Sequence, residues 1–487
     1  MAVYATLHLL LRVFLEPSLS FDESEQALFA QSLAWRYEDG QPPLYTWLAW
    51  GSFKAFGLNL FSLALVKYSI LFGGYVFVFL SARKITDNDN LAALSLYSYG
   101  FVAHFARNVH DQMTHTVAAT TLLAVTLYLL TRVVESGRWH HYLLLGLSSA
   151  LGILAKYNFA LAIAAGTVAA LFVPPFRRRL LDWQIVITAA AATLVIAPHL
   201  EWSFEHHNSF LDLLRSSTSA GAASSYTTAV TGGLLKLASK LFTFTVPLSL
   251  ILPFIFPRLL LRTREALPDP HGYRRFLGYF MLCGIGFLVL LVLLLGAMRF
   301  RTHWMPVVLM FLPVYLFART RLDSLSRARV RVFLGVVLGV TVLFVAERPL
   351  LYEIWPRYCD GCRKFAPFPA LAEQLRAAGF KRGTIVAKRH HTGGNLKLIF
   401  KESRVIVVGY PLSAFPEEPV GDQCLIVWRG KSPEAPREMR DYLRTAMQAP
   451  AFEPIRDGVV EAGLINAEQR RFALSYTLID GGVGTCR

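Results

Sequence analysis

The sequence predicts an α-helical polytopic membrane protein followed by a small C-terminal α/β domain, and three observations predict it. Apolar runs of about 17 to 25 residues recur through roughly the first 346 positions, each long enough to cross a hydrocarbon core of roughly 30 Å. Only 17% of the 487 residues are charged and 54% are hydrophobic, whereas a soluble domain is about one quarter charged. Beyond about residue 349 the polarity rises to that of a soluble domain. The mean hydropathy of +0.42 agrees with the first two.

Eleven crossings are expected, near 2–17, 61–82, 91–106, 113–131, 141–155, 158–174, 183–201, 233–256, 276–297, 304–318 and 332–347. The first is short and contains Arg12 and Glu16. A cleaved signal peptide is its rival reading, but a basic n-region and a small-residue cleavage pattern before Phe21 are both missing. Arg12, near a helix end, is expected to snorkel towards the headgroups.

The net charge of +16 raises nucleic acid as a partner. The basic residues, however, fall between apolar runs, as in loops facing the cytoplasm, and no basic-aromatic surface supports a nucleic-acid groove. With the N-terminus inside, the inner loops collect Arg83 and Lys84, then Arg132 and Arg138, then Arg177, Arg178 and Arg179. The next two hold Arg258, Arg262, Arg264, Arg274 and Arg275, then Arg319, Arg321, Arg327, Arg329 and Arg331. The outer loops carry few basic residues, chiefly Arg107, Arg299 and Arg301, so the positive-inside rule fixes the orientation.

An odd number of crossings puts the C-terminal segment outside. The expected division is a transmembrane domain over 1–348 and an outer α/β domain over 349–487, which the resemblance given below makes periplasmic. In the latter, "LAEQLRAAGF" reads as an amphipathic helix closed by Gly379. "GTIVA", "RVIVVGY" and "QCLIVW" read as short buried strands. Cys283 lies in an apolar run, while Cys359, Cys362, Cys424 and Cys486 fall in the outer domain, where an oxidising compartment allows three pairings. Cys359–Cys362 with Cys424–Cys486 is the expected set. "CDGC" also fits a redox pair or half a zinc site, for which the sequence offers no second ligand pair.

The outer face collects the chemistry. Its first loop, about 18–60, contributes Asp22, Glu23, Glu25 and "QPPLYTWLAW", with Gln41 and Tyr45. The second contributes Arg107, His110, Asp111 and His115. Lys156 falls in "AKYNF", between the fifth and sixth crossings; Glu201, Glu205, His206 and His207 lie in a later segment, and Arg299, Arg301 and His303 in "RFRTHW". Charges at a bilayer are costly and usually have partners or a task. Carboxylates beside cations at a lipid surface suit transfer of a group from a lipid phosphate: a cation stabilises the departing phosphate and a carboxylate deprotonates an attacking hydroxyl.

Each residue also has a plainer reading. Glu23 and Glu25 fit a solvated helix face, Asp111 an N-cap, Lys156 a snorkelling residue, and Arg299 and Arg301 interface markers. His206 and His207 fit an exposed polar pair as well as a metal site. "GGN" at 393–395 lacks the spacing of a phosphate loop and reads as a helix start.

An acidic pair just after the first crossing, followed by a "PPL" segment, resembles the GT-C glycosyltransferases. Within them it is similar to the bacterial protein O-mannosyltransferase-like superfamily that includes the lipid A aminoarabinose transferases. "HDQMTHTVAATTLLAVTLYLL", "GRWHHYLLLGLSSALGILAKYNFALAI" and "RTHWMPVVLMFLPVY" resemble later parts of that pattern. The resemblance covers roughly the first 345 residues. It implies a multi-pass enzyme of the bacterial inner membrane, taking a sugar from a polyprenyl-phosphate donor on the periplasmic side and passing it to a glycolipid acceptor such as lipid A or lipopolysaccharide core. Asp22 matches the first-loop acid, Asp111 the second-loop acid, and Lys156 the lysine facing the donor phosphate. Many relatives place a lysine directly before the two prolines, where this chain has Gln41. "QPPLYTW" with the "CDGC … GTIVA … GGNLK" tail looks most like the rhizobial galacturonosyltransferases of lipid A and core, for which Arg299 or Arg301 would meet the uronate carboxylate. Inversion is expected of a single displacement. No cofactor is implied, and a divalent metal is left open. A transporter or flippase, with Lys67 deep in a crossing, and an envelope scaffold are the competing readings.

Overall fold

The computed structural model describes every residue except 36, 38–40, 206–217, 220–224, 260–267, 360–361, 411, 413–414, 417–420, 422, 448–455, 481–485 and 487, and only the backbone of 203–205, 258 and 480. It divides into two compact units. A helical unit comprises Met1–Ala2, Asp39–Pro42 and Ser69–Phe344; a mixed unit comprises Val3–Glu38, Pro43–Tyr68 and Val345–Arg487. All of the polar first loop except Asp39–Pro42 thus falls in one unit with the C-terminal segment.

Among the described residues, six helices are long and apolar enough to cross a membrane: Leu60–Thr86, Thr114–Ser136, Ile185–Trp202, Tyr226–Ile255, Tyr273–Leu295 and Arg327–Arg357. They match six of the expected crossings. The other five are shorter or interrupted, for local reasons. Ala2–Leu15 has 14 residues, and Trp139–Ala155 stops at Lys156, whose backbone is extended. Asp89–Tyr97 gives way to a 3-10 turn over Ser98–Phe101 and a π-turn over His104–Asn108. Phe159–Phe172 bends by 116° into Pro174–Leu180, where consecutive prolines cannot continue the preceding ladder. Pro306 and Pro313 begin two short pieces of the last.

Small residues set the helix contacts, as expected where lipid supplies no hydrophobic drive between helices. A Cβ on Gly146 would lie 2.4 Å from the Thr188 carbonyl oxygen, so Trp139–Ala155 and Ile185–Glu205 meet at backbone distance. The Thr188 hydroxyl donates across that contact to the Tyr142 carbonyl at 2.9 Å.

The mixed unit is built on five strands: β1 (Gly383–Ala387), β2 (Arg404–Val407), β3 (Gln423–Arg429), β4 (Arg456–Leu464) and β5 (Ala467–Asp480). Their order is β2-β1-β3-β5-β4, with β1 parallel to β2 and β3, and β5 antiparallel to β3 and β4. β1 and β2 are buried throughout, as parallel strands covered on both faces are, and Thr384 and Arg404 are buried with their apolar neighbours. The helix Phe368–Ala377 is followed by Gly379 at φ +112°, a left-handed position suited to glycine. Cys359 pairs with Cys362, and Cys424 of β3 with Cys486.

Three N-terminal helices belong to this unit: α1 (Ala2–Leu15), α2 (Phe21–Phe29) and α3 (Leu44–Phe56). α2 rests on the helix His390–Ile399 that joins β1 to β2, here called the Gly-Gly helix. Gly394 makes the contact: a Cβ there would lie 2.4 Å from the Ser24 carbonyl oxygen. Leu19 N donates to Asn395 Oδ1 at 2.8 Å, and Asn395 Nδ2 donates to Ser24 Oγ at 3.3 Å. Gln31 completes the edge strand, donating to the Val405 carbonyl at 2.9 Å and accepting from Val405 N at 3.0 Å. Leu28, Phe29 and Tyr37 therefore enter the core of the α/β domain. The "GGN" motif does lie in the first turns of a helix, and it is also the seat of α2.

Candidate active site

Two clusters of polar side chains, one in each unit, take up most of the residues singled out from the sequence. In the mixed unit, α2 begins with the Ser20 backbone N–H donating to Glu23 Oε2 at 2.9 Å, one half of a capping arrangement. Arg12 then grips the same carboxylate with two hydrogen bonds, Nε to Oε1 at 2.8 Å and Nη2 to Oε2 at 2.6 Å. It also donates to the carbonyls of Glu16 (2.5 Å) and Ser18 (3.1 Å). Glu16 in turn binds Arg348 at 2.9 Å and Lys364 at 3.1 Å. Burial alone would raise the Glu23 pKa, but the Arg12 charge and hydrogen bonds outweigh it and hold this carboxyl well below the usual range.

Two expectations are corrected here. Glu23 is not part of a solvated face, because it is 3% exposed and bound to a guanidinium. Arg12 does not snorkel; it is 2% exposed and carries the ion pair. Glu25 is mostly covered as well, 3.7 Å from His390 Nε2.

Asp22 sits half-buried in the first turn of α2. Tyr45 of α3 is fully buried, and its phenol is pushed up by burial and then by the fields of Glu23 and Asp22. Lys67 is 2% exposed and interacts electrostatically with Glu23 and Asp22. Asp22, Glu23, Tyr45 and Lys67 therefore share one environment. Lys67 had entered only as support for a transporter, and its apolar sequence surroundings gave no sign of the acids beside it.

In the helical unit the second cluster grows from an irregular segment. π-Turns are rare and frequent at functional sites, and the one over His104–Asn108 leads directly into Val109–Asp111. Met113 follows at φ +79°, a left-handed conformation rare for non-glycine residues, before Thr114–Ser136 begins. His110 is buried and Asp111 half-buried. His104 is 2% exposed, packs against Phe105 and Phe244, and has no hydrogen bond to either ring nitrogen.

Lys156 lies where Trp139–Ala155 ends, buried, with Nζ donating to Thr116 Oγ1 at 2.7 Å. Its charge acts on His104, His115 and His303. Arg301 acts on His303, and Arg299 on Arg301. Both amide atoms of Asn158, two residues beyond Lys156, are buried without a hydrogen bond. The cluster thus gathers Lys156, Arg299, Arg301, His104, His115 and His303 around buried donors, as a polyanionic group requires. Sequence reasoning missed His104 and Asn158; their signal, a polar side chain inside an apolar run, was present but unweighted.

Gln41 falls in the helical unit, half-buried. His206, His207, Arg262 and Arg264 lie outside the described residues. Among the described residues no group of three or more His, Cys, Asp or Glu side chains is placed to hold a metal ion.

Residues 40–202 match the family described as dolichyl-phosphate-mannose-protein mannosyltransferase. Two relatives from Rhizobium johnstonii run almost the full length. The lipopolysaccharide core galacturonosyltransferase RgtA is 27% identical over 98% of this chain and 93% of its own. The lipopolysaccharide core galacturonosyltransferase RgtB is 28% identical over 93% of this chain and 91% of its own. Among solved structures, ArnT from Cupriavidus metallidurans bound to undecaprenyl phosphate superposes with a TM-score of 0.58 at 12% identity, covering 97% of each chain. Residues 40–202 are thus similar to that mannosyltransferase family, and the chain as a whole shares the fold of ArnT.

Proposed function

We propose that this protein transfers a sugar from a polyprenyl-phosphate donor to lipid A or the lipopolysaccharide core, on the periplasmic side of the bacterial inner membrane. The observation that carries the reading is the likeness, over 98% of the chain, to a lipopolysaccharide core galacturonosyltransferase. A galacturonosyl group is accordingly the sugar proposed. The chain's own residues supply matching chemistry, and the division 1–348 and 349–487 is kept as membrane and periplasmic parts.

For a hydroxyl acceptor, the Asp22 carboxylate takes the hydroxyl proton as the oxygen attacks the anomeric carbon. The bond from that carbon to the phosphate oxygen breaks, and the polyprenyl phosphate leaves with inverted configuration at the sugar. Lys156, Arg299 and Arg301 stabilise the charge that develops on the leaving phosphate; either arginine also suits a uronate carboxylate. Asp111 is the second catalytic carboxylate, and Glu23, Gln41, Tyr45 and His110 belong to the loops that receive the substrates. For an acceptor that is already an ionised phosphate, Asp22 orients rather than deprotonates.

Mass spectrometry of envelope glycolipids tests this. A deletion strain should lose one sugar mass, recover it with the wild-type gene, and fail to recover it with Asp22→Asn at matched protein level. Full recovery with Asp22→Asn would remove the proposed base and favour a scaffold; an unchanged glycolipid profile in the deletion would end the transferase reading.

A further inference from the structure

The Gly-Gly helix presents its other end to a second cluster of charge. The chain leaves β1 for β2 on one side and returns to β3 on the other, so the carboxyl ends of β1 and β3 flank a topological switch point. Parallel sheets hold ligands in the crevice outside such a point. In this unit that end is basic. The register pairs Ala387 with Val427, and Lys388 N donates to the Val427 carbonyl at 3.0 Å. Continued by two residues, it sets Arg389 level with Arg429.

His390 and His391 open the Gly-Gly helix, whose first-turn N–H groups are the partly positive end of its dipole. Both residues are buried, and the His390 Nδ1 edge meets the Tyr410 hydroxyl at 3.2 Å. Phe368 packs on His391 at 5.6 Å between ring centroids, and Arg363 acts electrostatically on His390, His391 and Arg429. Arg389 acts on His390 as well. Arg363, Arg389 and Arg429 are exposed, and among the described residues no carboxylate is ion-paired with Arg363 or Arg389. Of the acids at this end, Glu438 pairs with Lys388 at 3.5 Å, and Glu25 lies on the α2 side, 3.7 Å from His390 Nε2. His390 Nε2 is buried with no hydrogen bond.

From this arrangement we infer that the crevice at the carboxyl ends of β1 and β3 is an anion-binding subsite for a phosphate or carboxylate on the acceptor saccharide, with Arg363, Arg389 and Arg429 as its ligands. It rests on the transferase reading for the identity of the acceptor. The subsite lies beside the proposed base: the Phe21 ring stands edge-on to His390 at 3.8 Å, and Phe21 precedes Asp22. An anionic sugar held there would anchor the acceptor next to α2. Arg363 and Arg429 repel one another, so an oxyanion between them, to which each guanidinium and that of Arg389 can donate charge-assisted hydrogen bonds, relieves the repulsion.

The test measures binding of the full-length, detergent-solubilised protein to immobilised lipopolysaccharide from a strain lacking the gene. Parallel surfaces carry the same material dephosphorylated with aqueous hydrogen fluoride, carboxyl-reduced, or treated both ways. The double variant Arg363→Gln/Arg389→Gln should bind native lipopolysaccharide about tenfold more weakly than wild type, from the worth of charged hydrogen bonds. Arg363→Lys/Arg389→Lys should recover part of that loss, and wild type should lose the same factor on one singly treated surface, naming phosphate or carboxylate as the source. Equal binding of wild type and the Gln variant to native lipopolysaccharide overturns the subsite, as does a deficit of unchanged size on the doubly treated surface. Binding that depends on the arginines, with no transfer by wild type, would sink the transferase and leave the subsite standing. Transfer with a wild-type KM in the Gln variant would sink the subsite and leave the transferase.

Discussion

Arg12 and Glu23 close on one another through two hydrogen bonds, while Lys156 donates to a threonine hydroxyl and shares its surroundings with three imidazoles. Around the first cluster, buried charge meets opposite charge, and Glu16, Arg348 and Lys364 extend the pattern. Around the second, Lys156 lies beside three imidazoles and Arg299 beside Arg301, with the His104 ring nitrogens and the Asn158 amide buried without hydrogen bonds. Buried polar groups without partners are rare and ask for an explanation. A satisfied network holds a backbone in place, whereas buried polar atoms left without hydrogen bonds, as on His104 and Asn158, gain from a ligand. The contrast supports the separate roles proposed: a frame that fixes the Asp22 helix, and a binding surface for phosphate.

The largest effect should come from breaking the frame. Arg12→Met leaves the Glu23 carboxylate buried without its guanidinium, and removing one partner of a buried pair costs about 3–5 kcal/mol. The melting temperature in detergent should fall sharply and transfer should fall with it. Arg12→Met/Glu23→Leu removes both charges and should recover most of that loss. If the single variant melts like wild type, the pair is not what holds α2.

Lys156 should behave in the opposite way. Lys156→Met removes a buried charge and keeps most of the side-chain volume, so the fold should tolerate it with little change in melting temperature. Transfer should drop about 10²–10³-fold in kcat, the usual consequence of deleting one stabiliser of a developing anion. His104→Phe keeps the packing against Phe105 and Phe244 and should cost less. A Lys156→Met enzyme with wild-type kcat would return this residue to its plainer reading as a snorkelling lysine.

The sequence made one side of this comparison easier to see than the other. Asp22 and Lys156 stood out because ionisable groups near a bilayer are conspicuous, and the basic inner loops set an orientation. The partner of Arg12 was not legible: eleven residues separate it from Glu23, and only the turn at Glu16 to Ser18 brings them together. The boundary near residue 348 followed hydropathy, which cannot report that residues 3–38 and 43–68 pack with the C-terminal segment. Gly393 and Gly394 read as a helix start because their second task, close approach to Ser24, depends on a segment about 370 residues away. β1, β2 and β3 were readable as apolar runs, whereas the β4–β5 hairpin was not. Its strands carry Arg456, Asp457, Glu461, Glu468, Arg470 and Arg471, so no run of apolar residues marks them.

The smallest and most discriminating effect is on pH dependence, because two acid-sensitive elements of the mixed unit titrate in different windows. His390 and His391 are each held down at about 4, by burial first and then by neighbouring cations, among them Arg363. Their folded pKa lies below the unfolded value of about 6.5, so the stability they supply is complete above pH ~6.5 and drains away as the pH falls towards 4. Glu23 is also depressed, but its unfolded value is that of an ordinary carboxylate, about 4.3. Its contribution is complete above that value and is lost only below it. The melting temperature of the full-length protein should therefore decline in two stages as pH is lowered. His390→Gln/His391→Gln should flatten the upper stage and spare the lower, while Arg12→Met/Glu23→Leu should do the reverse. An upper stage as steep in the His390→Gln/His391→Gln variant as in the wild type would mean that the basic end of the Gly-Gly helix is more open to water than its packing against Phe21 and Phe368 implies.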